Sequence, residues 1–158
     1  MGISMGMGAA LDPSRFRLAT KAITFAGGTG NAIGDHDGTG DPATVFTVTG
    51  QVIVRVIAVC TTDLTFAANA TIELGTAAAT GSLIATTDLT TQALAAKEIW
   101  HDATPDAEIE LLSVAGERII TDGNDIVLTC GVANTNSGVI EFYCLWMPLS
   151  SDGNVVAA

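Results

Sequence analysis

Basic side chains are scarce in this chain, which has 6 lysines and arginines against 17 aspartates and glutamates and a formal net charge of −11. A phosphate backbone or an anionic membrane surface would repel such a body. Long apolar runs are also missing, because the best one, Val52–Cys60, is interrupted by Arg55. A membrane-spanning helix needs about 20 consecutive apolar residues. We therefore expect no nucleic acid and no membrane among its partners, and the first residues show no pattern of a signal peptide.

Cysteine and histidine are too few and too scattered for a zinc site or a redox motif. The three cysteines form no CxxC pair, and Cys60, Cys130 and Cys144 each fall in phase with an apolar strand face. This placement predicts buried free thiols, which suits synthesis in a reducing cytoplasm. His101 beside Asp102 could form an oriented base, but no nucleophile accompanies it. We therefore expect that the protein is not an enzyme.

The residues that are abundant favour strands joined by turns. Apolar residues make up 48% of the 158 residues and charged residues only 15%, and the remainder is rich in Thr and Gly. Turn signals recur every eight to twelve residues, as is typical of a sandwich or jelly roll. The prediction is an all-β fold, a single-domain antiparallel β-sandwich that is jelly-roll-like. We expect an N-terminal arm at 1–20, the sandwich at 21–150 and a short flexible tail at 151–158.

Two alternating runs near the end of the chain give the clearest strand signal. The period-two positions are Ile126, Leu128, Cys130 and Val132 in the first run, and Ile140, Phe142, Cys144 and Trp146 in the second. They predict a hairpin over 125–147 with its hinge at 134–138. The other predicted strands are 21–26, 43–49, 51–60, 64–66, 70–75, 82–86, 98–101, 108–114 and 118–121. A helix or structured arm is predicted at 11–19, and a helical turn or an extended loop at 88–97.

A glycine-rich loop at 27–42 carries three spaced carboxylates. Counted from Asp35, the residues Asp35, Asp37 and Asp41 occupy positions 1, 3 and 7 of a candidate ion-binding loop, and such oxygen ligands can surround Ca²⁺. The twelfth position, where a bidentate glutamate would complete a standard calcium loop, is Phe46. The loop is therefore predicted either to bind Ca²⁺ or to be an ordinary exposed acidic loop. No other cofactor is predicted.

The strand at 51–60 is apolar on both faces, because Ile53, Ile57 and Val59 flank Arg55 on its second side. A strand that is apolar on both sides must be covered on both sides. The cover could be another subunit, or the N-terminal arm folded over its own domain. The predicted interface residues are Arg15, Phe16, Arg17, Ile53, Arg55 and Ile57.

Three blocks of sequence resemble small virion-associated structural proteins of tailed bacteriophages. They are Val59–Thr65, Glu98–Ala107 and Phe142–Val155, and the likeness covers about two-thirds of the chain. The resemblance implies a structural part of a virion and no catalytic role. The first 50 residues match less well, so they are expected to carry the specific attachment.

The leading hypothesis is a capsid decoration (cement) protein that is made in the host bacterial cytoplasm and seated on the outer capsid surface of the virion. Its partners would be the major capsid protein or another virion protein, and copies of itself, with a homotrimer favoured. One alternative is a tail, neck or fibre-base component. Another is a glycan- or Ca²⁺-binding β-sandwich that contacts the host.

Overall fold

The fold consists of two antiparallel sheets that face each other. The structure, a computed structural model, describes residues 15–111, 115–121 and 123–158, and in these ranges the chain forms eleven strands and no α-helix. The larger sheet contains β1 Arg17–Phe25, β3 Val52–Phe66, β6 Glu98–Trp100, β7 Asp106–Ala107, β8 Arg118–Ile120 and β10 Thr135–Pro148. The smaller sheet contains β2 Ala43–Thr49, β4 Thr71–Thr76, β5 Ala79–Asp88, β9 Ile126–Gly131 and β11 Asn154–Ala157. The predicted all-β sandwich is confirmed.

The strand order brings the longest strands to the middle of the larger sheet. Its order is β1-β10-β3-β6-β7, with β8 also paired to β3, and the smaller sheet runs β11-β2-β9-β4-β5. β10 and β3 pair from Pro148↔Val52 to Thr135↔Phe66, with irregularities near Val139. Alternate side chains of both strands point into one apolar core between the sheets. This burial supplies the main favourable term of folding.

Trp100 links the two sheets through the centre of that core. Its ring meets Phe142 edge to face, with centroids 6.2 Å apart and planes at 70°. Its indole Nε1–H donates to Thr87 Oγ1 of β5 at 2.8 Å, across the core. A buried tryptophan needs such a partner for its N–H, so Thr87 satisfies the polar end of an otherwise apolar side chain.

The predicted hairpin at 125–147 is wrong. β9 belongs to the smaller sheet and β10 to the larger one, so the connection at 132–134 crosses from one sheet to the other. Both alternating faces are buried as expected, but they meet across the core instead of lying side by side. Val132 does not share the buried face, because it lies beyond β9 with a φ of 65° and its side chain is exposed. Alternation reports which side of a strand is buried and does not report its neighbour.

Both predicted ends of the sandwich need correction. β1 begins at Arg17, so residues 17–20 of the predicted arm pair with β10, and the predicted strand at 21–26 is longer at its start. β11 lies inside the predicted flexible tail and pairs with β2 from Asn154↔Thr49 to Ala157↔Phe46. Burial of Val155 against the core explains why this short strand is ordered. Residues 1–14 of the arm, which include the first four positions of the helix predicted at 11–19, lie outside the described residues, and Arg17–Ala19 are strand.

The middle of the chain differs from the prediction in three places. The strands predicted at 51–60 and 64–66 form one continuous strand, β3. The segment 88–97 has no helix and follows turns, as the extended-loop alternative predicted. The strand predicted at 108–114 is absent from 108–111, and only Asp106–Ala107 just before it pair with β6 as β7; residues 112–114 lie outside the described part. Asp106, Glu108 and Glu110 would lie on one face of a strand, and their like charges and low β-propensity disfavour a long strand here.

Candidate functional site

One side of the larger sheet faces away from the core, and we call it the outer face. Cross-strand partners in an antiparallel sheet point to the same side. Tyr143 lies opposite Ile57, and Leu145 lies between Arg55 of β3 and Leu18 of β1. The outer face includes Leu18, Thr20, Ala22, Ile53, Arg55, Ile57, Val59, Ile119, Glu141, Tyr143, Leu145 and Met147. Most of these side chains are apolar, although they lie outside the core.

Part of the outer face is covered by the chain itself. Ile53 and Met147 are cross-strand partners that are only 7% and 5% exposed, although they do not belong to the core cluster. Beside them, Arg55 Nη2 donates to Glu117 Oε1 at 2.7 Å, so the end of the β7–β8 connection reaches over this face. Of the predicted interface residues on β3, Ile53 is therefore buried, Arg55 is paired, and Ile57 is half-buried.

The uncovered part of the outer face lies at its borders. Leu18 on β1 is 59% exposed and Ile119 on β8 is 68% exposed. Two further apolar side chains, Ile109 and Leu111, are also exposed in the β7–β8 connection. These positions carry no signal in the sequence, because a single apolar residue at a strand edge has no distinctive pattern. Large apolar side chains left exposed on a sheet face can form part of a protein-binding surface.

The three predicted interface residues at the start of β1 lie at one end of the same sheet. The Arg17 guanidinium lies over the Trp146 ring, 5.0 Å from its centroid, which is a cation–π contact. Arg15 and Arg17 line a groove of about 530 Å³ together with Met147 and its chain neighbours. Phe16 is half-buried. Arg17 thus caps a core aromatic of its own chain, which is a structural role.

The acidic loop at 27–42 does not assemble the three predicted carboxylates. Asp35 Oδ2 accepts a hydrogen bond from the Asn31 amide at 2.7 Å. A carboxylate oxygen of Asp35 also lies close to a ring nitrogen of His36 and a carboxylate oxygen of Asp37. Asp41 is not part of this group. Its Oδ1 instead accepts the Cys130 amide of β9 at 2.6 Å. The carboxylate predicted as a calcium ligand therefore serves to fasten the loop to the smaller sheet, and calcium binding by this loop stays a prediction without its third ligand.

The pKa values of Asp35 and Asp41, the two carboxylates that anchor this loop, are shifted in opposite directions. The hydrogen bond from the Asn31 backbone, with smaller contributions from Asp37 and Asn134, lowers the pKa of Asp35. Burial raises the pKa of Asp41 and outweighs the hydrogen bond from Cys130. His36 is held elsewhere, because its Nδ1 lies 2.6 Å from Asn134 Oδ1 in the β9–β10 connection. Most polar groups of the loop are thus occupied by the protein's own structure.

A second cluster surrounds His101, just after β6. Its side chain is only 5% exposed, and its Nε2 lies 2.8 Å from Asp106 Oδ2 and 4.0 Å from Glu110 Oε2. On its other side, Nδ1 lies 3.6 Å from Asp102 Oδ2 and has no hydrogen-bond partner in the described part of the chain. The sequence pointed to Asp102 as the partner of His101, whereas the hydrogen bond goes to Asp106. The signal for Asp106 was its register opposite Ile99 in the β6–β7 pair, which only the fold reveals.

The carboxylates around His101 are held in place by backbone amides. Asp102 Oδ1 accepts the amide and the hydroxyl of Thr104 at 2.6 and 2.8 Å. Burial raises the pKa of Asp102, but these two bonds and the neighbouring His101 together keep it below its usual value. Glu110 Oε1 accepts the Leu111 amide at 2.6 Å. Each of these groups therefore presents its remaining oxygen to the imidazole.

The thiols offer no reactive nucleophile. Cys60, Cys130 and Cys144 are all buried and unpaired, as the sequence predicted. Burial raises the pKa of Cys60 to about 11 and those of Cys130 and Cys144 to about 12. Because the thiolate is the reactive form, these side chains are inert packing groups near neutral pH.

Comparisons with known proteins add no assignment to this geometry. No family model matches the sequence, and no curated protein and no solved structure matches it either. In the described residues no helix is long and apolar enough to cross a membrane.

Proposed function

We propose that this protein is a structural component of a tailed-phage virion, and specifically a capsid decoration protein that binds the outer surface of the head and stabilises it. The proposal draws on the resemblance of the three sequence blocks to virion-associated structural proteins. These blocks, Val59–Thr65, Glu98–Ala107 and Phe142–Val155, contribute to β3, β6, β7 and β10 of the larger sheet, and the last block also includes the first two residues of β11 in the smaller sheet. All four strands are consecutive neighbours in the larger sheet. Most of the resembling residues that lie in strands therefore belong to one sheet.

The observation that carries the proposal is the partly uncovered outer face of that sheet. Leu18 and Ile119 leave more than half of their side-chain surface in water. Full burial of such a side chain from a fully exposed state contributes about 1.5–3 kcal/mol, and burial of the part that Leu18 or Ile119 still exposes contributes a share of this. A few contacts of this size are weak for one copy, but they become strong when they repeat over a capsid lattice.

The charge of the chain supports a place on the outside of the shell. A body with a net charge of −11 would be repelled by packaged DNA, whereas nothing opposes it on the outer surface. The same charge keeps free copies apart in solution, so association depends on the apolar contacts. We propose a homotrimer whose copies contact one another through the outer face. Loss of these contacts also weakens the multivalent binding of the trimer to the major capsid protein, its second partner.

A binding assay on empty expanded heads that lack the protein tests this proposal. The double variant Leu18→Ser with Ile119→Ser should bind at least about tenfold more weakly than the wild type, since a loss of about 1.4 kcal/mol corresponds to tenfold. Val156→Ser is the matched control, because Val156 is an exposed apolar residue on β11 of the other sheet. Undiminished binding of the double variant would contradict the role of the outer face.

The role of the N-terminal arm in attachment can be tested by deletion, but the deletion must be shorter than the arm predicted at 1–20. Residues 17–20 pair with β10, so removing residues 1–20 would damage the sheet as well as the arm. Deletion of residues 1–14 leaves β1 complete, and it should weaken shell binding while the unfolding midpoint stays the same. Immunogold labelling of virions separates head from tail. Label over the whole head supports the proposal, and label at one pole would establish the tail, neck or fibre-base alternative instead.

A further inference from the structure

We propose that His101, Asp106 and Glu110 form a binding site for one divalent transition-metal ion of the zinc type. The ligand atoms of these three residues all lie within 4.8 Å of one another. They come from the residue just after β6, from β7 and from the β7–β8 connection, on the free edge of the larger sheet. This cluster is separate from the acidic loop at 27–42 and from the outer-face residues used in the proposed function.

The spacing of the ligand atoms suits a small ion. Zinc binds imidazole nitrogen at about 2.0–2.1 Å and carboxylate oxygen at about 2.0–2.2 Å, so tetrahedral ligand atoms are about 3.2–3.5 Å apart. His101 Nε2 lies 2.8 Å from Asp106 Oδ2 and 4.0 Å from Glu110 Oε2, on either side of this spacing. Side-chain movements on the order of 1 Å would admit the ion.

The charge balance of the cluster also favours a cation. The carboxylates of Asp102, Asp106 and Glu110 surround the imidazole of His101, whose side chain is only 5% exposed. In the part of the chain that the structure describes, no lysine or arginine forms an ion pair with any of them. Even a protonated imidazole leaves this group negative, and a divalent ion would compensate the remaining charge.

The unpartnered nitrogen of His101 provides an independent indication. Its buried Nδ1 has no hydrogen-bond partner among the described residues, and Asp102 Oδ2 is 3.6 Å away. Metal-bound histidines almost always donate their second ring N–H to a carboxylate, which orients the ring. An ion on Nε2 would place the proton on Nδ1, and a small ring movement would bring it to Asp102. The arrangement thus already contains an outer partner as well as the ligands.

The ligand types restrict the metal. Imidazole nitrogen suits zinc and its neighbours, whereas calcium and magnesium prefer oxygen alone. Three protein ligands leave a fourth position for water or for a group of a partner. The ion would connect the β6–β7 pair to the segment that follows β7. This part of the sheet is held by few pairings, because β6 pairs with β3 only at Ala58↔Trp100 and Val59↔Ile99.

Titration of the untagged full chain with Zn²⁺ by calorimetry, after treatment with a chelator, tests the site. The wild type should bind one equivalent, and a hundredfold excess over the dissociation constant should raise the melting temperature by about 5–10 °C. Asp106→Asn and Glu110→Gln should abolish this stoichiometric binding. Asp102→Asn should weaken it by about 10–100-fold, as loss of an outer partner does.

Two control variants test whether the loss of a negative charge alone explains weaker Zn²⁺ binding. Glu108→Gln removes one negative charge next to the site and should keep the affinity, and so should Asp37→Asn in the acidic loop. Nitrogen NMR of the two imidazoles reads the site directly, because Zn²⁺ should shift the Nε2 signal of His101 and leave His36 unchanged. Absence of binding by the wild type overturns the proposal, and so does binding that survives both Asp106→Asn and Glu110→Gln.

Discussion

The two faces of the larger sheet are built from the same strands but differ in burial, because one face packs in the core and the other points away from it. The inner face of β10 carries Phe142 and Cys144, which are fully buried among core side chains, whereas Tyr143 and Leu145 on its outer face are only half-buried. The outer neighbours are nearly as apolar as the inner ones. What separates the faces is therefore the presence of a second sheet on one side only. The inner face determines stability, and the outer face is available for association.

The largest expected difference between the faces comes from truncating one aromatic on each. Phe142→Ala removes the edge-to-face partner of Trp100 and leaves a cavity in the core, so it should lower the free energy of unfolding by about 3–5 kcal/mol. Tyr143→Ala, its neighbour on the outer face, loses a cross-strand contact with Ile57 and should cost only about 0.2–1 kcal/mol. Denaturant unfolding followed by tryptophan fluorescence measures both values. Equal losses would show that the outer face is also a packed core.

A smaller effect is expected from the buried thiols at alkaline pH. Burial raises the pKa of Cys144 from 9.0 to about 12 and that of Cys130 likewise. Above pH 9 the unfolded chain releases these protons while the folded chain keeps them, so stability falls as pH rises. Each thiol should contribute a loss of about 1.4 kcal/mol per pH unit between pH 9 and its folded pKa.

Urea unfolding of the wild type and Cys144→Ala at pH 8, 9 and 10 measures this loss. The variant should be less stable at pH 8 because it lacks the packed sulfur, but its stability should decline less steeply with pH. Parallel declines in the two proteins would mean that Cys144 ionises as easily in the folded chain as in the unfolded one.

The smallest effect is expected at the ion pair over the outer face. Glu117→Gln breaks the contact with Arg55, and because both side chains are partly exposed it should cost only about 0.2–1 kcal/mol at low salt. The difference from wild type should shrink in concentrated sodium chloride, since salt screens the pair. Glu108→Gln is the control, as Glu108 makes no ion pair within the described ranges. A loss of several kcal/mol would show that this pair closes the outer face as firmly as the core closes the inner one.

The buried side chains were predictable from the sequence, whereas strand neighbours were not. The positions Ile140, Phe142, Cys144 and Trp146 are buried as their alternation indicated. The same alternation in Ile126–Gly131 gave a false hairpin, because two strands with matching apolar faces can lie in one sheet or on opposite sheets. The connection near Val132 takes the chain from β9 in the smaller sheet to β10 in the larger one, and the turn at Gly50 does the same between β2 and β3. Both residues have positive φ values, 65° and 60°. A valine at positive φ is unusual, so the sequence carries no signal for the connection near Val132.

The candidate sites show the same limit. Spacing alone made Asp35, Asp37 and Asp41 candidate ligands of one ion, with an ordinary acidic loop as the alternative, but the amide of Cys130, 89 residues away in sequence, takes the third carboxylate. Conversely, Asp106 and Glu110 had no pattern that linked them to His101. A carboxylate is a ligand or an anchor according to which buried amides lie near it, and long-range contacts decide that.

By itself the sequence determined the class of fold, the inward positions of its strands, the burial of its thiols and the acidity of its surface. These properties depend on composition and on a two-residue period, which are local. Only the tertiary structure decided which strands lie side by side, which apolar face lacks a cover, and which acidic groups surround a buried imidazole. Those outcomes depend on contacts between residues far apart in the chain, where the free energy of packing and loop closure selects one arrangement among several that the local pattern allows.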